Sequence, residues 1–125
     1  MNTLDRFIGY AAWAGLTKAE QDEIGTIALE LVSAWYAHEN AESEPLARAA
    51  ERAEFELEQS LQEAFCDAVP RSSIDIAAGV PRLPSRLGPV CRECGCSQSD
   101  ACTPACSWVE KDLCSACKPP TGTGA

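Results

Sequence analysis

Seven of the chain's eight cysteines fall within 27 of its 125 residues, in the stretch CRECGCSQSDACTPACSWVEKDLCSAC from Cys91 to Cys117. A Cys-x-x-Cys pair stands at each end, Cys91/Cys94 and Cys114/Cys117, with 19 residues between them. Such a turn lets two thiolates converge on one cation, and two turns complete a tetrahedron without needing a hydrophobic core. The spacing therefore points to a structural zinc held by Cys91, Cys94, Cys114 and Cys117. Cys96, Cys102 and Cys106 lie between the pairs, and a single tetrahedral ion cannot use them. Two ions need eight ligand positions, which seven cysteines fill if one thiolate bridges. Cys96, two residues from Cys94, is placed to do so, which makes Cys96, Cys102 and Cys106 the expected second-site ligands.

Two other chemistries compete. An iron–sulfur cluster also takes four cysteines, but the symmetric pairs resemble zinc ribbons and fingers more than ferredoxin spacing. A disulfide scaffold suits an even number of cysteines at this density in a secreted protein. The first residues, MNTLDRFIGYAAWAG, carry Asp5, lack a basic leader and soon meet Lys18 and Glu20, so no secretory signal is read there. The expected compartment is a reducing cytoplasm, of a bacterium or an infected host cell, where cysteines at this spacing are metal ligands more often than disulfides.

The string C-R-x-C-G-C, then A-C, then C-x-W-V-E-x-D-L-C-S-x-C resembles a cysteine-rich, zinc-binding type of module found in short bacterial and phage proteins, mostly uncharacterised. Cys91, Arg92, Cys94, Gly95, Cys96, Ala101, Cys102, Cys106, Trp108, Val109, Glu110, Asp112, Leu113, Cys114, Ser115 and Cys117 carry the likeness. The resemblance implies metal binding and a bacterial or phage origin. It implies no reaction and does not reach the preceding residues.

Catalysis finds little support. His38 is the only histidine, no Glu-x-x-His pair exists for a di-iron bundle, and no nucleophile stands in a local signature. A catalytic zinc usually keeps an open position beside a histidine or carboxylate, whereas this stretch is rich in thiols and lacks histidine. A deaminase would need a His-x-Glu element that is missing. The expectation is a non-enzymatic protein with a structural metal. Trp108 is expected to plug the core of a module otherwise too small to have one. Cys66 is expected as a small buried apolar residue, with metal ligation the sharper alternative.

The elements that must carry this stretch are mainly α-helical. Leu4, Phe7, Ile8 and Ala11 recur at helical spacing, which predicts a short helix over 3–14 capped by Thr3 and ended by Gly15. Thr17 and Glu20 form a capping-box pattern ahead of a second helix running to about His38 or Asn40. Its apolar stripe is Ile24, Ile27, Ala28, Leu31 and Trp35, widened by Leu29, Val32 and Tyr36. Ser43 caps a third, long helix with Pro45 in its first turn and a stripe of Leu46, Ala50, Ala53, Leu57, Leu61, Ala64 and Phe65. Short connections predict a three-helix bundle or a helical hairpin, followed by a small zinc-stabilised, loop-rich module. The expected divisions are an acidic helical domain over 1–69, a Pro/Gly linker over 70–90, the cysteine module over 91–117 and a disordered tail over 118–125. Prolines after Ile74, Asp75 and Ile76 predict no sheet partner of any length for that run.

Charge narrows the partners. The net charge is −9, and residues 1–69 hold 14 acids against 4 bases. Such a surface repels phosphates, so the helical part is expected to bind a protein partner or a second copy of itself. The alternative is a nucleic-acid-binding regulator using Arg82, Arg86, Arg92, Lys111 and Lys118 around the zinc module. No apolar run approaches the ~20 residues that span a bilayer.

Overall fold

A computed structural model describes residues 6–102 and 106–117. In chain order the elements are β1 (Arg6–Phe7), α1 (Gly9–Ala14), α2 (Lys18–Asn40), α3 (Glu44–Ala68), α4 (Arg71–Ile74), β2 (Asp75–Ala77), β3 (Val80–Pro81) and β4 (Leu83–Pro84). A 3-10 turn at Ser85–Leu87, then β5 (Trp108–Glu110) and β6 (Leu113–Cys114), follow. The mainly α class read from the sequence holds. The chain divides into two compact units, one of residues 10–74 and one of 1–9 with 75–125.

The first unit is built on α2 and α3, whose starts follow local capping chemistry. The Glu20 amide donates to Thr17 Oγ1 at 3.1 Å, and Glu20 Oε1 accepts from the Thr17 amide at 2.8 Å. Each group satisfies a first-turn donor that the helix itself cannot. Ser43 Oγ accepts from the Leu46 amide at 3.3 Å, with Pro45 in the first turn where its missing N–H costs nothing. Three residues, 41–43, join the helices, so they return antiparallel. The start of α2 (Glu20, Glu23, Ile27) lies beside the end of α3 (Ala64, Asp67, Ala68).

Small side chains set the approach of the two helices: Ala34 on α2 and Ala50 and Ala64 on α3 are buried. The stripe on α2 passes through Ala34 and leaves Trp35 half exposed, because Trp35 lies about 100° further around the helix. Leu46, at the first turn of α3, is exposed. His38 Nδ1 and Glu54 Oε1 meet at 2.9 Å between the helices, a cross-link that no sequence pattern announces. Cys66 is exposed, not buried: two positions beyond Ala64, it faces the other side of α3.

The short first helix differs from the expectation. It begins at Gly9, and Arg6–Phe7 is extended, paired in parallel with Leu83–Pro84. Six helical residues have too few internal bonds to outweigh such a non-local pairing. Thr3 and the tail over 118–125 lie outside the described residues. α1 packs on α2 through Trp13, whose ring edge lies where a Cβ on Gly25 would meet it at 3.3 Å. Gln21 Nε2 donates to the Trp13 carbonyl at 2.8 Å.

Residues 70–90, read as a linker, carry α4, the β2–β3 hairpin, β4 and the 3-10 turn. Asp75 pairs with Pro81 and Ala77 with Val80, so the run at 74–76 does find a strand partner. Gly79, at φ 76°, closes this hairpin in a conformation that glycine adopts without steric cost. Prolines are tolerated because each pairing is only two or three residues long. Among the described residues, no helix is long and apolar enough to cross a membrane.

Candidate metal centre

Two turns present the thiols. In the first, the Gly95 amide donates to the Cys91 carbonyl and the Cys91 amide to the Cys96 carbonyl, both at 2.9 Å. The Glu93 amide reaches Cys91 Sγ at 3.4 Å, an N–H···S bond that holds the sulfur inward. Gly95 closes the turn at φ 81°, the left-handed region in which a side chain costs about 1–2 kcal/mol. Val90, buried, bridges to Ser97, which in turn pairs with Asp100.

The second turn grows out of the β5–β6 hairpin, in which Trp108 pairs with Cys114 and Glu110 with Leu113. The Cys117 amide donates to the Cys114 carbonyl at 3.2 Å, and the Ser115 amide to the Ser107 carbonyl at 2.6 Å. The two turns are tied together by Arg92. Its amide donates to the Asp112 carbonyl at 2.8 Å, while its guanidinium donates to the Asp112 carboxylate and, at 3.1 Å, to Glu110.

Thiols form the core of this unit. Cys91, Cys96, Leu113 and Cys114 are buried together, and Cys102, Cys106, Trp108 and Cys117 pack against them half-buried. Trp108 thus takes the plugging position read from the sequence. Cys94 and Cys114 sulfurs lie 3.8 Å apart, Cys94 and Cys102 3.6 Å, Cys96 and Cys106 3.7 Å, and Cys102 and Cys114 4.0 Å. Four sulfurs at 2.3 Å around one zinc are separated by about 3.8 Å, the edge of that tetrahedron. A disulfide would bring two of them to about 2.05 Å, and all eight cysteines here are free.

Of the four thiols first expected around one ion, Cys91, Cys94 and Cys114 converge with Cys96 into a quartet whose sulfurs all lie within 4.8 Å of one another. Cys96, Cys102, Cys106 and Cys114 form a second such quartet. Cys117 packs against the cluster but belongs to neither quartet. The expected second-site residues therefore do gather, and the two quartets share Cys96, the thiol placed to bridge, together with Cys114. The Cys-x-x-Cys spacing does not signal the sharing of Cys114, the most enclosed residue of the module at 0 % exposure.

The arrangement polarises the thiols. Burial opposes ionisation of Cys114, but the Cys117 amide and the thiols of Cys96, Cys91 and Cys117 bring it down to about 6. The Cys114 amide, with those of Cys94 and Glu93, likewise lowers Cys91 against its burial. Cys96 is raised by burial first and then by its thiol neighbours. Cys102 is pushed up to about 12 by hydrogen bonding with Cys94 and Cys106. Thiols that donate toward the Cys114 sulfur would release those protons to solvent when a cation took their place.

No protein-family model matches the chain, and neither a curated protein nor a solved structure matches it. Clustered cysteines able to hold a metal ion are the functional feature that the structure itself supplies.

Proposed function

We propose that the chain is a small, non-enzymatic interaction protein whose cysteine module is folded around structural zinc, one ion or two. The observation that carries this reading is the convergence of thiols at 3.7 to 4.0 Å, close to the separation a tetrahedral thiolate site requires. Thiolate-only ligation leaves no open position for water, which supports a structural ion over a catalytic one. The low content of other apolar residues in the module supports metal binding as the source of its folding free energy.

The helical unit supplies the surface for a protein partner or a second copy. Leu29, Val32 and Tyr36 recur at helical spacing on α2 and are exposed, Leu29 by 74 % and Tyr36 by 63 %. Beside them an open groove of about 720 Å³ is lined by Tyr36, Ala37, Leu46, Ala50, Ala53 and Leu57. Exposed apolar patches with a polar rim mark interaction sites. The acidic surface favours a protein over nucleic acid, and the pairing of Arg92 with Glu110 and Asp112 takes one of the five proposed phosphate contacts out of use. A bacterial or phage setting is in keeping with the module's resemblance.

The test is the metal content of protein purified without chelator, by elemental mass spectrometry. Zinc at one or two equivalents per chain is expected, and stoichiometric iron with visible absorbance would overturn the assignment.

A further inference from the structure

We infer that the module takes two ions joined through Cys96 and Cys114, with Cys91 and Cys94 completing one site, Cys102 and Cys106 completing the other, and Cys117 outside the ligand set. This rests on the metal-binding reading above and specifies how its thiols are shared.

Membership and burial carry the argument. In each quartet the four sulfurs lie within 4.8 Å of one another, near enough to close on one ion, and the two quartets have Cys96 and Cys114 in common. If those two thiols served one ion alone, the other set would keep only two ligands and could not close. With Cys117 outside both quartets, two ions require that Cys96 and Cys114 be shared. Both are buried, at 7 % and 0 % exposure, which suits a central place in the cluster, and Cys91, at 2 %, is buried beside them. Cys94, at the edge, is exposed, and Cys102 and Cys106 are half-buried, as suits ligands bound to one ion each.

Charge favours sharing as well. A thiolate sulfur has lone pairs enough for two ions, and the second divalent ion arrives with only two additional thiolates, so it adds no net charge to the module. Two separate four-thiolate sites would double the negative charge instead. Cys117 packs against the cluster and its thiol hydrogen-bonds with those of Cys94, Cys114 and Cys91, but it belongs to neither quartet. The sequence spacing favours it as a ligand, but the geometry gives its place to Cys96.

Native mass spectrometry of the full chain, produced in zinc-supplemented medium, tests the arrangement. The expected result is two zinc ions in the unaltered protein, two in Cys117→Ser, one in Cys106→Ser and in Cys102→Ser, and none in Cys114→Ser. Loss of an ion from Cys117→Ser would overturn the sharing of Cys96, since Cys117 would then be the fourth ligand. A single ion in the unaltered chain, retained in Cys106→Ser, would overturn the binuclear site while leaving the metal-binding reading intact. An unaltered chain without any metal would overturn both. The Cys117 and Cys106 variants decide the matter even if Cys114→Ser fails to fold.

Discussion

The Arg92 guanidinium donates to the Glu110 carboxylate at 3.1 Å, across 18 positions of sequence, and so links the first thiol turn to the hairpin that carries the second. This link needs no metal. It joins the two turns through protein groups alone, and the Asp112 carboxylate and carbonyl add to it.

Replacing Arg92 by alanine should weaken the module without removing its metal. The pair is half exposed and screened by water, so its loss is expected to cost about 1 kcal/mol or less. Competition with a chromogenic chelator should show an apparent zinc affinity lowered by less than about tenfold. Complete loss of metal would mean that Arg92, not the thiols, determines the site.

Helicity should survive removal of the metal. α2 and α3 belong to one compact unit and every thiol of the cluster to the other. Their caps at Thr17 and Ser43 and their pairing through Ala34, Ala50 and Ala64 involve no cysteine of the module. Far-ultraviolet circular dichroism before and after chelation is expected to change little in the helical bands. Loss of most of the helical signal would show that the hairpin depends on the module.

Acid should release the metal. A Cys114 thiol depressed to about 6, from 9.0 when unperturbed, makes the folded module bind fewer protons than the unfolded chain between those values. Its contribution to stability is therefore present above about pH 9 and is lost as pH falls through about 6. The lowered Cys91 acts with the same sign. Raised thiols such as Cys102, at about 12, oppose folding only on the alkaline side of 9.0. Proton competition for the ligands adds to the acid effect. Zinc release followed with a metallochromic dye should rise as pH falls from 8 to 5, and constant occupancy across that range would contradict the linkage.

The long helices could be read from the sequence because their signals are local and repeated: the capping box at Thr17, the Ser43 cap with Pro45, and stripes sustained over many turns. Cysteine spacing likewise announced that Cys91, Cys94 and Cys114 would meet. What was hidden depends on non-local geometry. The pairing of Arg6–Phe7 with Leu83–Pro84 joins segments of two residues, too short to carry any period. The His38–Glu54 contact depends on how two helices face each other. That Cys96 gathers with Cys91, Cys94 and Cys114 while Cys117 packs beside them depends on how the two turns face each other, which spacing alone does not encode.

If thiols alone hold a tetrahedral ion in this module, X-ray absorption at the zinc edge should show a first shell of four sulfurs at about 2.3 Å with no nitrogen or oxygen ligand. A shell containing nitrogen or oxygen at about 2.0 Å would contradict it, because no set of these cysteines could supply such a ligand.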